Sequence, residues 1–280
     1  MDLKDIRLIT FSPTHTSRQV GEAIARGTAI KQLFVTDLTV SAGVPLVVGR
    51  QTLTLITVPV YGGHVAPLAM KRLEGIRSEG GPVVLVVVYG NRAFEQALTE
   101  LQAFATGCGF KVVAGAAFIG EHSYSSSRYP IAAGRPDAAD LKEAEDFGWK
   151  VADRMSETGE GRAFPVINLE HIPQPLQSPS SMEKFVQGVM EMRKRQTSGG
   201  KSAVPIADES LCTRCGYCVE HCPTAAIVRG DECHTLSDRC IRCCACVKGC
   251  PQRARSFETP FAPLLSACFA EQKRNCMIIG

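Results

Sequence analysis

Eight of the thirteen cysteines fall into one repeated spacing, which constrains this chain more than any other feature. Cys212, Cys215, Cys218 and Cys222 stand as C-x2-C-x2-C-x3-C and are followed by Pro223. Cys240, Cys243, Cys246 and Cys250 repeat the pattern and are followed by Pro251. The second copy begins 28 residues after the first, and the two also align Arg214 with Arg242 and Val219 with Val247. A tight loop with cysteines three apart can wrap three thiolates around the corners of a [4Fe-4S] cube. Zinc sites more often pair two C-x2-C knuckles across a longer gap. Disulfides would suit a secreted chain, but no signal-type apolar run follows Met1 to Lys4.

The segment resembles the two-cluster bacterial ferredoxins. In such runs the fourth cysteine points away and ligates the other cluster. One cluster is therefore expected on Cys212, Cys215, Cys218 and Cys250, the other on Cys240, Cys243, Cys246 and Cys222. Two departures stand out. Gly216 follows the second cysteine of the first copy, whereas the second copy has Cys244 there. That copy also ends with Arg253 and Arg255 where ferredoxins usually continue with small and aliphatic residues. Positive charge near a cluster favours its reduced state, so these arginines are expected to raise the potential. Residues 205–258 carry seven acidic and seven basic side chains. Long-range steering should therefore be weak, which suits a module serving its own chain better than a diffusing carrier.

A length of 280 residues suits two domains, and 45% hydrophobic with 21% charged residues supports a globular core. A net charge of +3 gives no reason to expect nucleic acid or a membrane surface. No apolar stretch approaches the length of a membrane span. The first 160 residues alternate apolar runs with helical patterns. Strands are predicted at 6–11, 32–38, 53–60, 83–89 and 111–118, with helices at about 17–31, 66–77, 93–106 and 136–156. This alternation predicts an α/β fold, a flavodoxin-like doubly wound parallel sheet, followed by a small C-terminal α+β two-[4Fe-4S] ferredoxin-like domain. The expected divisions are 1–160, a linker with a short helix at 161–204, the cluster segment at 205–258 and a tail at 259–280.

In such sheets ligands sit at the carboxyl ends of the strands. The first strand ends in FSPTHTSR (11–18), a hydroxyl-rich turn opening a helix, which suits a phosphate. The third ends in PVYGGH (59–64), where Tyr61 offers a flat ring and Gly62-Gly63 permit close backbone approach. The fourth ends in YGNRAFE (89–95), with another aromatic, a glycine and an amide. Residues 1–160 resemble flavodoxins, and the whole chain resembles the EFR1-type ferredoxins, which join such a domain to two [4Fe-4S] motifs. The resemblance implies FMN, its phosphate held by Ser12, Thr14, Thr16 and Ser17; His15, by its own ring chemistry, is a further candidate contact. It also implies Pro59, Val60, Tyr61, Gly62 and Gly63, with Tyr89, Gly90, Asn91 and Arg92, flanking the isoalloxazine. Pro13 and His15 depart from the family's loop, where glycines are usual.

The polar run 121–130 reads as a solvated loop, with an edge of the flavin site or a partner contact as the alternatives, and His64 and His122 as structural histidines rather than acid–base catalysts. Residues 164–182, with Pro165, Pro173, Pro175 and Pro179, read as a linker. Cys108, Cys233, Cys268 and Cys276 lack ligand spacing and read as buried thiols. The expected function is electron transfer between two [4Fe-4S] clusters and FMN, and on to a redox partner protein, in a cytoplasmic protein with no membrane span; a homodimer is compatible. Two alternatives are a flavin-dependent reductase of a small molecule and a flavin-free iron–sulfur sensing or interaction module.

Overall fold

β-branched runs without polar alternation become strands buried on both faces. The computed structural model describes residues 3–41, 43, 45–157, 164–196 and 203–280. Its main sheet contains β1 (Asp5–Thr10), β2 (Leu33–Asp37), β3 (Thr52–Tyr61), β4 (Pro82–Tyr89) and β5 (Lys111–Ile119), all parallel. A sixth strand, β6 (Cys276–Ile279), runs antiparallel along β5, and His64–Val65 folds back on the end of β3. The order β6-β5-β4-β3-β1-β2 contains the doubly wound flavodoxin-like order, whose switch point lies between β1 and β3.

β4 shows why the sheet is central. Val83, Leu85, Val87 and Tyr89 enter one core, and Val84, Val86 and Val88 the other, because successive side chains point to opposite faces. Helices α1 (Thr16–Gly27) and α4 (Ala138–Ser156) cover the second face; α2 (Pro67–Leu73) and α3 (Ala97–Gly107) cover the first. α4 starts at a helix-capping residue: the Asp137 carboxylate accepts from the N–H groups of Ala139 and Asp140 at 2.9 and 3.0 Å. Each predicted strand is present, with ends shifted by one residue at most. The predicted second helix stops earlier, and Ile76–Ser78 pairs with Leu46–Val48 as a small two-stranded sheet.

Residues 164–175 do not behave as a free spacer. The Ile167 N–H donates to the Val112 carbonyl at 2.9 Å and the Leu169 N–H to Gln102 Oε1 at 2.6 Å, with Leu169 and Ile172 buried. Prolines prevent a helix there, yet the apolar residues between them dock into the core beside β5 and α3. α5 (Pro179–Gln196) follows.

The C-terminal segment has two short helices, α6 (Tyr217–Glu220) and α7 (Ala245–Lys248), and pairs Ile206–Ala207 with Arg255–Ser256. Its repeat extends to the backbone. Arg214, Gly216 and Ala225 are left-handed, and so are Arg242, Cys244 and Arg253, each 28 residues later. Cys244 thus occupies, at φ 59°, the conformation that Gly216 adopts at φ 82°.

The tail then returns to the first domain. α8 (Phe261–Cys268) packs on α5, with Phe185 and Phe269 edge to face at 5.1 Å. Asn91, left-handed and buried, clamps the next turn: its Nδ2 donates to the carbonyls of Phe269 (2.7 Å) and Glu271 (2.9 Å), and its Oδ1 accepts from the Lys273 N–H (3.1 Å). Asn91→Ala strips partners from these backbone groups, at a cost of about 2 kcal/mol. Amide hydrogen exchange at Met277–Ile279 should then accelerate about thirtyfold. Exchange unchanged within a factor of two would show that the clamp does not hold β6.

Candidate functional site

Parallel strands deliver their carboxyl ends to one edge, and the loops that leave them must find partners there or face water. At the end of β1, the Ser12 N–H donates to Thr39 Oγ1 (2.8 Å), Ser12 Oγ accepts from the Arg18 N–H (3.0 Å), and the His15 N–H donates to the Ser12 carbonyl (3.0 Å). His15 closes this turn at φ 66°, a left-handed conformation more usual for glycine. At the end of β3, Gly62 and Gly63 are also left-handed, and a Cβ on Gly63 would lie 1.9 Å from Glu95 Oε2.

These loops enclose a cavity of about 510 Å³, a size usual for a small-molecule or cofactor site. Ser12, Pro13, Thr14, Thr16 and Ser17 line it from the β1–α1 turn. Pro59, Val60, Tyr61, Gly62 and Gly63 line it from β3, and Tyr89, Gly90 and Arg92 from β4. His15 and Asn91 are not among the lining residues; His15 caps α1, and the Asn91 amide is spent on the tail. Tyr89 is fully buried and donates its hydroxyl to the Arg274 carbonyl at 3.3 Å, so it forms a fixed wall. The Ser17 hydroxyl is buried without a hydrogen-bond partner, which is what a site awaiting an anionic oxygen acceptor presents.

Of the rest of the wall, sequence reasoning raised only the 121–130 loop, and that as an alternative. Glu121, His122, Ser123 and Tyr124 close it from the loop after β5, Phe185, Val189 and Arg193 from α5, and Phe261 and Leu265 from α8. Ile241 and Arg242, from the second cysteine motif, complete it. The 121–130 run is therefore an interface loop: Lys248 Nζ donates to Glu121 Oε1 (2.6 Å) and to the Ser125 carbonyl (2.8 Å). On the other side Arg72 donates to the Pro223 carbonyl. The only signal in the sequence was the local density of aromatic and hydroxyl side chains, which does not name a partner.

Electrostatics reflect the closure. Burial raises the Tyr61 hydroxyl well above its ordinary range, helped by the neighbouring Cys243, Cys244 and Tyr124. Tyr124 is pushed up to about 12, chiefly by burial and then by Cys244. Burial raises the Glu121 carboxyl, but its hydrogen bonds from Lys248 and the Gly134 N–H win and hold it below the usual carboxylate range. His64 is exposed and paired with Glu100, away from the cavity lining.

The cysteines gather in two sets. Cys212, Cys215, Cys218 and Cys250 line one small cavity, although Cys250 comes from the other motif. Cys222 in turn lies close enough to Cys240, Cys243 and Cys246 to bear on the ionisation of each. Among the described residues no three His, Cys, Asp or Glu side chains converge as ligands of a single ion do. Burial pushes the Cys243 thiol up to about 12 and the Cys246 thiol up to about 11, so ionisation at neutral pH needs a bound cation. Of the cysteines without ligand spacing, Cys108 and Cys268 are buried, whereas Cys233 and Cys276 are partly exposed, and Cys233 lies beside Cys212.

Residues 205–228 match the model of the 4Fe-4S binding domain family. No curated protein matches the chain. Similar solved structures include a flavodoxin from the domain Archaea, 11% identical, covering 54% of this chain and 99% of that one at a TM-score of 0.37. The flavodiiron core of Flv1 from Synechocystis sp. PCC6803 is 16% identical, covering 56% of this chain and 37% of that one at 0.40. A Streptococcus pneumoniae TIGR4 flavodoxin is 12% identical, covering 53% and 98% at 0.38. Among the described residues no helix is long and apolar enough to cross a membrane.

Burial, with the charges of Lys248 and Arg92, lowers His122 to about 4. Its neutral ring accepts the Tyr124 N–H at 3.0 Å. The folded value lies below the ordinary ~6.5, so its contribution to stability is complete above pH ~6.5 and is lost as pH falls toward about 4. An NMR titration should find the His122 ring half-protonated near 4; a midpoint above 6 would mean that the loop is not closed over it.

Proposed function

We propose that this protein transfers electrons within one polypeptide, between FMN at the sheet edge and two [4Fe-4S] clusters, and on to a redox partner protein. The observation that carries this reading is the shared wall: Ile241 and Arg242, flanked by Cys240 and Cys243, line the same cavity as Ser17, Tyr61 and Gly90. FMN exchanges electrons singly or in pairs and the clusters singly, so the set would join one- and two-electron chemistry; the protein's part is placement and tuning.

In this reading residues 1–160 hold the flavin and 205–258 the clusters, while 164–196 and 259–280 fasten the two together. The β1–α1 turn would bind the phosphate through Ser12, Thr14, Thr16 and the free Ser17 hydroxyl. Tyr61, Gly62, Gly63, Tyr89 and Gly90 would border the ring. Cys240, Cys243, Cys246 and Cys222 would hold the cluster nearer the flavin, and Cys212, Cys215, Cys218 and Cys250 the farther one. Support for the farther cluster as the outlet comes from Cys215, which is exposed, whereas Cys243 and Cys246 are buried.

The full chain, purified without oxygen, should carry one FMN and about eight irons with matching sulfide. Iron without flavin would leave only the iron–sulfur part of the reading, and a colourless folded chain would end it. Ser17→Ala should weaken FMN binding at least about tenfold, the loss of one hydrogen bond to a charged group, with iron content unchanged. Cys250→Ala should abolish the EPR signal of the cluster held by the first motif, and Cys222→Ala that of the second. The opposite pairing would refute the ligand crossing.

A further inference from the structure

Among the described residues Arg255 is the only fully buried lysine or arginine, at 5% exposure. It sits in the short antiparallel pair with Ala207, and three acceptors fix its guanidinium in place. Nη1 donates to the Glu232 carbonyl, and Nη2 to the Pro205 carbonyl (3.1 Å) and Thr235 Oγ1. Nε is buried with no partner.

The side chain forms part of the wall of the cavity that Cys212, Cys215, Cys218 and Cys250 enclose. The strand that carries Arg255 also packs on α7, which bears Cys246 of the second set, and Cys246 shares one buried cluster with Cys218 of the first. Glu232 stands in the same wall with Oε1 accepting the Gly230 N–H (3.1 Å) and Oε2 unpartnered, but the two residues form no ion pair. A buried cation without a carboxylate partner is costly unless another anion compensates it. Thiolate-ligated clusters on both sides would be that anion.

We propose that Arg255 is a shared positioning charge for both clusters: held rigidly between the two cysteine sets, it stabilises each bound cluster and raises the reduction potential of each. One-electron reduction adds a negative charge to a cluster, and a fixed cation in a dry, low-dielectric site favours that state. Arg253, read from sequence as an equal contributor, is exposed on a left-handed turn where solvent and salt screen it. The inference rests on the cluster reading given above.

The test is an EPR-monitored potentiometric titration of the full chain, with iron and sulfide counted on the same samples. In R255Q both clusters should become harder to reduce by at least tenfold in the one-electron equilibrium, about 59 mV. R253Q should shift neither by more than twofold. A fully loaded R255Q with both wild-type potentials overturns the proposal. If R255Q does not load, R255K decides: recovered iron and sulfide support a required charge, and an equally empty R255K overturns it in favour of the hydrogen bonds alone. Wild-type protein without clusters is a separate result, which defeats the site reading rather than the role of Arg255.

Discussion

A turn of the second cysteine motif is pressed against the carboxyl ends of a parallel sheet, and the rest of the molecule is arranged around that contact. Strand-end loops carry free N–H groups and hydroxyls that water would otherwise satisfy. Closing them with Ile241 and Arg242 on one side, and with α5 and α8 on another, makes a partly enclosed cavity. Exclusion of water strengthens every charge interaction inside it. The raised Tyr61 and Tyr124 hydroxyls and the lowered His122 all report the same desolvation.

Two tethers hold the contact. The chain enters the cluster segment after α5 and leaves it through α8, and these helices pack on each other through Phe185, Phe269 and Leu264. It then extends into β6 along the open edge of β5, with Asn91 and Asn275 satisfying backbone and side-chain groups at the turn. An otherwise bare sheet edge is covered, and the cluster segment is anchored at both ends. The Lys248–Glu121 pair, about 29% exposed on each side, adds registration at the interface more than stability.

Charge is handled differently in the two halves. The sheet domain pairs several surface arginines with carboxylates, as in Arg18 with Glu22 and Arg26 with Glu145. The cluster segment instead buries Arg255 among thiols and backbone carbonyls. Exposed pairs are cheap and weak; a buried cation is tolerated only where negative charge faces it.

Much was legible from residues alone. Apolar and β-branched runs marked all five parallel strands; four of them pack on both faces of the sheet, whereas β2 is an exposed edge strand. The x2, x2, x3 register marked eight cysteines, and the hydroxyls and glycines at strand ends marked one side of the cavity. Those signals are local, set by period and spacing over a few residues. Proline content misled at 164–175, because it reports the absence of a helix and says nothing of whether Leu169 and Ile172 find a core. Arg253 and Arg255 are alike in sequence, yet only the antiparallel pairing with Ala207 turns Arg255 inward. The sequence by itself determined the strand alternation and the thiol spacing, because backbone periodicity dictates both. Only the tertiary structure decided that the tail returns as β6, that the 121–130 loop is an interface, and that Ile241 and Arg242 close the cavity, because those outcomes depend on which distant surfaces exclude water together.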